Sequence, residues 1–179
     1  WNHLIFEEFF ILKNLKKYTV FMGQGEPGFL YGVKSLQAEI RTMCPMGIPC
    51  IAEAMLLPFK NQIVYDGILN AYNVHIGKEI MGHLNEDYKE SKALYGIFET
   101  LPIEIDENYH KENQEEINSN LLKAWLSTKS SREKHEEDIM NLVEKYPYLE
   151  KVYHYEMGKI VARSLKRQYK DAGMRNIWL

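Results

Sequence analysis

Ala52-Glu53-Ala54-Met55-Leu56-Leu57-Pro58-Phe59-Lys60-Asn61-Gln62-Ile63-Val64-Tyr65-Asp66-Gly67-Ile68-Leu69 reads as two strands joined by a short polar turn. Two apolar runs flank Lys60-Asn61-Gln62, and Asp66-Gly67 supplies a second turn signal, which is the punctuation of an antiparallel hairpin. Pro58 has no N–H to give a hydrogen-bonded ladder, so it belongs at the end of its strand or on the free side. The stretch bears on the fold and names no chemistry.

Upstream, Tyr18 to Met22 and Phe29 to Val33 read as strands around Gly23-Gln24-Gly25-Glu26-Pro27-Gly28, with Ser35 to Met43 as a helix crossing to the next pair. Ala71 to Ile76 reads as the last strand, which makes a sheet of about five. At the N-terminus Leu4, Ile5, Phe9 and Leu12 fall at helical spacing and Lys16-Lys17 suit a helix end, so the pattern predicts a short helix. After Gly77 the period changes. Ile80, Leu84, Tyr88, Ser91 and Tyr95 form one helical stripe that should cover the sheet, and Pro102 ends the unit.

The acidic stretch Glu104 to Glu112 reads as a connector. Ile117, Leu121 and Trp125 mark the next helix. Ser130-Ser131-Arg132-Glu133 has the form of a capping box that starts a helix carrying Ile139, Leu142, Val143 and Tyr146. Pro147 separates it from a last helix over Leu149 to Asp171, closed by Gly173.

The run Leu56-Leu57-Pro58-Phe59, followed by Ile63-Val64-Tyr65-Asp66-Gly67 and preceded by Gly28-Phe29-Leu30-Tyr31-Gly32-Val33, resembles a group of uncharacterised bacterial proteins. The likeness covers roughly the first hundred residues and extends to a Tyr-rich helix such as Tyr88 to Tyr95. It implies a bacterial protein with this strand arrangement, and it carries no activity, cofactor or site residue to transfer.

At 179 residues the chain has room for one domain with a core, or a compact domain with a helical extension. Hydrophobic content of 45% and aromatic content of 12% argue against disorder. The apolar runs are too short for a membrane span. No basic leader with a small-residue cleavage site is visible, and a chain opening on Trp1 rather than Met reads as an engineered piece or a trimmed product. Cys44 and Cys50 flank a Pro/Gly loop, and their number suits reduced, semi-buried thiols in a cytoplasmic setting; a local disulfide comes next, and a metal site last for want of ligands at zinc spacing. The net charge of -3 hides a gradient, from -2 over residues 1–103 and -6 over 104–150 to +5 over 151–179.

Four candidate sites follow from the residues. Gly23 to Gly28 matches G-x-G-x-x-G, but it leads into a strand rather than a helix, and Glu26 would face the phosphates, so a hairpin loop is the better reading. Asp66 and His75, with Glu53 near, could serve as base and orienting group if neighbouring strands bring them together; otherwise Asp66 is a turn or bulge residue. His83, His110, His135 and His154 are scattered, and H-E-x-x-H, nucleophile-elbow and phosphate-loop patterns are missing from the sequence.

The fourth is the basic end, where Lys159, Arg163, Lys166, Arg167 and Lys170 recur at three- or four-residue spacing, with Tyr169, Arg175 and Trp178 nearby. Such a strip can hold phosphates. The competing reading pairs it with Glu133, Glu136, Glu137 and Asp138, in the same chain or a partner.

The sequence thus predicts an α+β protein: an antiparallel or mixed sheet of about five strands covered by helices over 1–103, and a helical extension over 104–179 packed on it. The favoured function is a non-catalytic, cytoplasmic module acting on an unidentified protein partner, without cofactor, metal or membrane. The alternatives are nucleic-acid binding through Lys159 to Arg175, and an enzyme using Asp66 and His75.

Overall fold

The computed structural model describes residues 3–36, 39–105 and 107–171, without the side chains of 107–109. Its compact units are Trp1–Asn113 and Gln114–Leu179. The fold is α+β, with a mixed five-stranded sheet and a C-terminal helical group.

The strands are β1 (Ile5–Asn14), β2 (Thr19–Gly25), β3 (Gly28–Lys34), β4 (Cys50–Pro58) and β5 (Ile63–Ala71). β1 replaces the helix that the spacing of Leu4, Ile5, Phe9 and Leu12 predicts. Ile5, Phe9 and Ile11 belong to the barrel core, whereas Phe10 and Leu12 pack in a second cluster on the outside. A strand buried on both faces loses its polar alternation, and its apolar run then imitates a helical stripe. The last expected strand, Ala71 to Ile76, is absent as such: β5 runs straight to Ala71, and residues 72–77 are irregular. Among the described residues, the helix expected over Ser35 to Met43 shrinks to a 3-10 turn at Ile40–Met43.

The β4–β5 hairpin stands where the sequence places it, with Pro58 as the last residue of its strand. Phe59 and Gln62 exchange backbone hydrogen bonds of 2.8 and 3.1 Å. Lys60 (φ 47°) and Asn61 (φ 59°) both take positive φ, as a two-residue loop matched to strand twist requires. Asp66-Gly67 is no turn. The strand passes through it with a register shift opposite Ala54/Leu56, Gly67 sits at φ 95°, and Asp66 Oδ1 accepts a 3.0 Å hydrogen bond from the Ile68 N–H.

The sheet is a barrel rather than an open layer. Its order is β1-β2-β3-β5-β4, closed by antiparallel β1–β4 pairing from Ile5↔Leu56 to Ile11↔Cys50 and by a parallel β3–β5 contact. That connectivity is the five-stranded Greek-key arrangement of OB-type barrels. The β3–β5 contact spans only Val33↔Ile63 and Lys34↔Val64. Alongside it, the Gly32 N–H donates to the Phe98 carbonyl and the Phe98 N–H to the Leu30 carbonyl, both at 2.8 Å, so Phe98 completes the wall. Phe9, Phe21, Val33, Ala52, Leu56 and Ile63, all fully buried, fill the inside.

Helix α1 (Lys78–Tyr95) buries Leu84, Tyr88 and Ser91 as the stripe predicts, although Ile80 at its start is exposed. Leu84 and Tyr88 meet Leu12, Val20, Met22 and Leu30 on the outer face of β1–β3. Lys13 Nζ stands 3.6 Å from the Tyr88 ring centroid, which adds a cation–π contact to the apolar packing. Residues expected as a connector include a short helix, α2 (Glu107–Glu112).

In the second unit, α3 (Gln114–Trp125), α4 (Lys129–Lys134), α5 (Glu136–Lys145) and α6 (Leu149–Asp171) gather Leu122, Leu126, Ile139 and Leu149 into a core. The helix start expected at Ser130 lies two residues earlier. Thr128 is the N-cap of α4, its side chain accepting from the Ser131 N–H at 3.0 Å, and His135 separates α4 from α5. Thr128→Ala should lower stability by about 1 kcal/mol, and Ser130→Ala should change it by no more than about 0.5 kcal/mol. Urea denaturation of both variants checks this, and the reverse order would return the cap to Ser130. α6 begins where the sequence puts it and is helical through Asp171, the last described residue; Gly173, the expected cap, lies outside the described residues.

Candidate functional site

Helix α6 has two unlike halves. Leu149, Val152, Tyr153 and Met157 anchor the first in the unit's core. From Val161 to Asp171 every residue is exposed. A helix this short is marginal in water by itself, so its persistence rests on the anchored half and on good helix formers such as Ala162, Leu165, Lys166 and Arg167.

At 100° per residue, Arg163, Lys166, Arg167 and Lys170 fall within an arc of about 100°. All four are exposed, and among the described residues none has an ion-pair partner. Lys159 differs from the rest of the strip, being paired with Glu156 at 2.6 Å and held 4.8 Å from the Tyr155 ring centroid. Arg175 and Trp178 lie outside the described residues. Of the acidic residues expected to neutralise the strip, Glu133 pairs with Lys129 at 3.5 Å and Asp138 with His135 at 3.3 Å. On the other side of the helix Val161, Leu165 and Tyr169 are exposed at 53%, 47% and 44%, at i, i+4, i+8 spacing. That apolar stripe is a feature the basic residues drew attention away from, although its spacing is legible in the sequence.

A second surface lies on the outside of β1, β4 and β5. Phe6 stands opposite Met55, with Ile68 beyond it on β5; Phe6 and Ile68 are 57% and 65% exposed, and Leu4 and Leu57 continue the apolar area. The next row is polar. Glu8 faces Glu53 across β1–β4, Asn70 donates to Glu53 at 3.4 Å, and the Tyr72 hydroxyl donates to Glu8 at 2.6 Å. Burial inside the barrel pushes the nearby Glu7 carboxyl up, against the opposing pull of the Gln24 backbone N–H, and burial with the Glu7 charge pushes Tyr31 up to about 12.

The remaining candidates are placed as follows. Asp66 is exposed on β5 and engaged with its own strand's backbone, while His75 is exposed in the segment leading to α1. Among the described residues no hydrogen bond or ion pair joins the two. Gly23 to Gly28 is the β2–β3 turn and leads into a strand. Cys44 and Cys50 are both free and buried in the barrel core, and burial, reinforced by the Cys44 side chain, raises the Cys50 thiol well above its usual range, which suppresses thiolate chemistry. In OB-type barrels the outer face of strands 2 and 3 is a common oligonucleotide platform; here α1 occupies that face. Among the described residues no helix is long and apolar enough to cross a membrane, and no cluster of three His, Cys, Asp or Glu residues is grouped to hold a metal. Comparison of the chain with protein-family models, with curated proteins and with solved structures finds no match in any of the three.

Proposed function

We propose that this chain is a non-catalytic interaction module that engages a protein partner through the exposed half of α6. The observation carrying this reading is the pairing of a solvent-facing apolar stripe, Val161, Leu165 and Tyr169, with an un-neutralised basic face on one helix. Amphipathic helices of this form dock their apolar residues into grooves on other proteins, and the surrounding charge selects an acidic groove. Two buried thiols without a disulfide suit a reducing, cytoplasmic setting.

The test compares proteins captured by the wild-type chain with those captured by a Val161→Asp/Leu165→Asp variant, both substitutions being at exposed positions. A set of partners lost with the variant supports the reading, and an unchanged set overturns it.

Nucleic-acid binding is the second reading, favoured by four cations on one face that have no ion-pair partner among the described residues. It predicts affinity for mixed-sequence DNA or RNA that falls steeply with salt, disappears in Arg163→Glu/Lys166→Glu/Arg167→Glu, and is indifferent to Leu165→Ala. No binding at low salt sinks it. The catalytic reading of Asp66 and His75 gains no support from their positions.

A further inference from the structure

We infer that the outer face of the barrel around Phe6, Met55 and Ile68 is the docking site for the exposed half of α6 from a second copy of this chain. The inference rests on the interaction-module reading and names its partner.

The surface has the features of an interface. Single exposed apolar residues are ordinary, but here exposed Phe6 pairs with half-exposed Met55 across β1–β4, exposed Ile68 lies on the adjacent β5, and Leu57 and exposed Leu4 lie at the neighbouring ends of β4 and β1. Three strands at about 4.8 Å spacing present a width of about 10 Å, which is that of a helix. Along a strand, residues of one face repeat about every 6.8 Å, and along a helix i and i+4 are about 6 Å apart, so two successive residues of the Val161, Leu165 and Tyr169 stripe can each meet one apolar row of the patch.

Charge selects the occupant. The patch is bordered on one side by the Glu8–Glu53 row, with the exposed carboxylate of Asp66 on β5. The stripe on α6 is bordered on one side by cations: Lys166 lies about 60° around the helix from Tyr169, and Lys170 follows about 40° further. An acidic border and a basic border, each to one side of an apolar strip, define a single favourable orientation. Association of two α6 helices would instead oppose cation to cation, and association of two barrel faces would oppose carboxylate to carboxylate. The contact joins unlike surfaces, so each chain carries one of each, and association closes as a reciprocal pair or a ring or continues as an open chain.

Sedimentation velocity over a concentration series, at low and moderate salt, reads the proposal. The wild-type chain should self-associate as its concentration rises, and less so as salt rises. Ile68→Asp on the barrel and Leu165→Asp on α6 should each abolish self-association, with circular dichroism unchanged because both side chains are exposed. Mixed together, these two variants should form dimers and nothing larger, because each supplies the surface the other lacks. Glu53→Lys should weaken association, and combination with Lys166→Glu should restore part of it. A wild-type chain that stays monomeric at high micromolar concentration and low salt overturns the inference. So does self-association that survives Leu165→Asp, or a mixture of the two variants that stays monomeric. If the wild type is monomeric while the α6 variant still loses its captured partners, only this inference fails and the module reading stands.

Discussion

Phe9→Ala is expected to lower the unfolding free energy by about 3–5 kcal/mol. Phe9 is fully buried on β1, with its ring 5.6 Å from that of Phe21 and 5.8 Å, edge-on, from that of Tyr31, so truncation removes both apolar burial and two ring contacts. The space left behind cannot close easily. β1 is hydrogen-bonded to β2 on one side and β4 on the other, and the neighbouring backbones are fixed by those ladders. Phe6→Ala, three residues earlier on the same strand but 57% exposed, should change stability by no more than about 0.5 kcal/mol. Urea denaturation gives both values. Equal losses at the two positions would contradict the inside–outside alternation of β1, and a loss at Phe9 below about 1 kcal/mol would mean that the barrel interior is not packed.

Gly28→Ala should cost about 3 kcal/mol, the upper part of the usual range for forcing atoms into occupied space. A Cβ on Gly28 would fall on the carbonyl oxygen of Gly23 across the β2–β3 turn, with the Gly23 carbonyl carbon 2.9 Å away. Backbone must move, because no flexible side chain is there to yield. Gly82, inside α1, is the contrast: a Cβ there meets nothing within 4 Å, and Gly82→Ala should stabilise by roughly 1 kcal/mol through helix propensity. Thermal or urea unfolding of the pair reads both signs. A neutral Gly28→Ala would show that the turn relaxes freely. The contrast also gives the G-x-G-x-x-G spacing a purely structural cause: Gly25 takes φ 131°, and Gly28 allows two backbones to touch.

Much of this architecture is legible where one physical signal acts alone. The Lys60-Asn61 turn, Pro58 at a strand end, the α1 stripe and the start of α6 all come from local chemistry that tertiary contacts then reinforce. β1 is illegible for the opposite reason, since its second face is covered by α1 and residues far along the chain decide which of its side chains are buried. Asp66-Gly67 misleads because a bulge and a turn use the same residue types. Thr128 rather than Ser130 caps α4 because its backbone is extended there (φ -129°, ψ 167°), a distinction composition does not make. The basic strip is readable as charge spacing, but whether those charges find partners is a property of packing. The apolar patch on the barrel could not be anticipated once β1 is taken for a helix, because Phe6 then has no strand neighbours.

The role of Phe98 in the barrel wall sets an order on biosynthesis. All five strands have been translated by Ala71, yet β3 still lacks its neighbour over Leu30 to Gly32, and its outer side lacks α1. A nascent chain of that length carries an unpaired strand margin beside uncovered Val20, Met22 and Leu30, the combination that recruits other chains. Protection of this margin arrives only when the polypeptide through Phe98 has left the ribosome, so the barrel is completed during synthesis well after its last strand has been made.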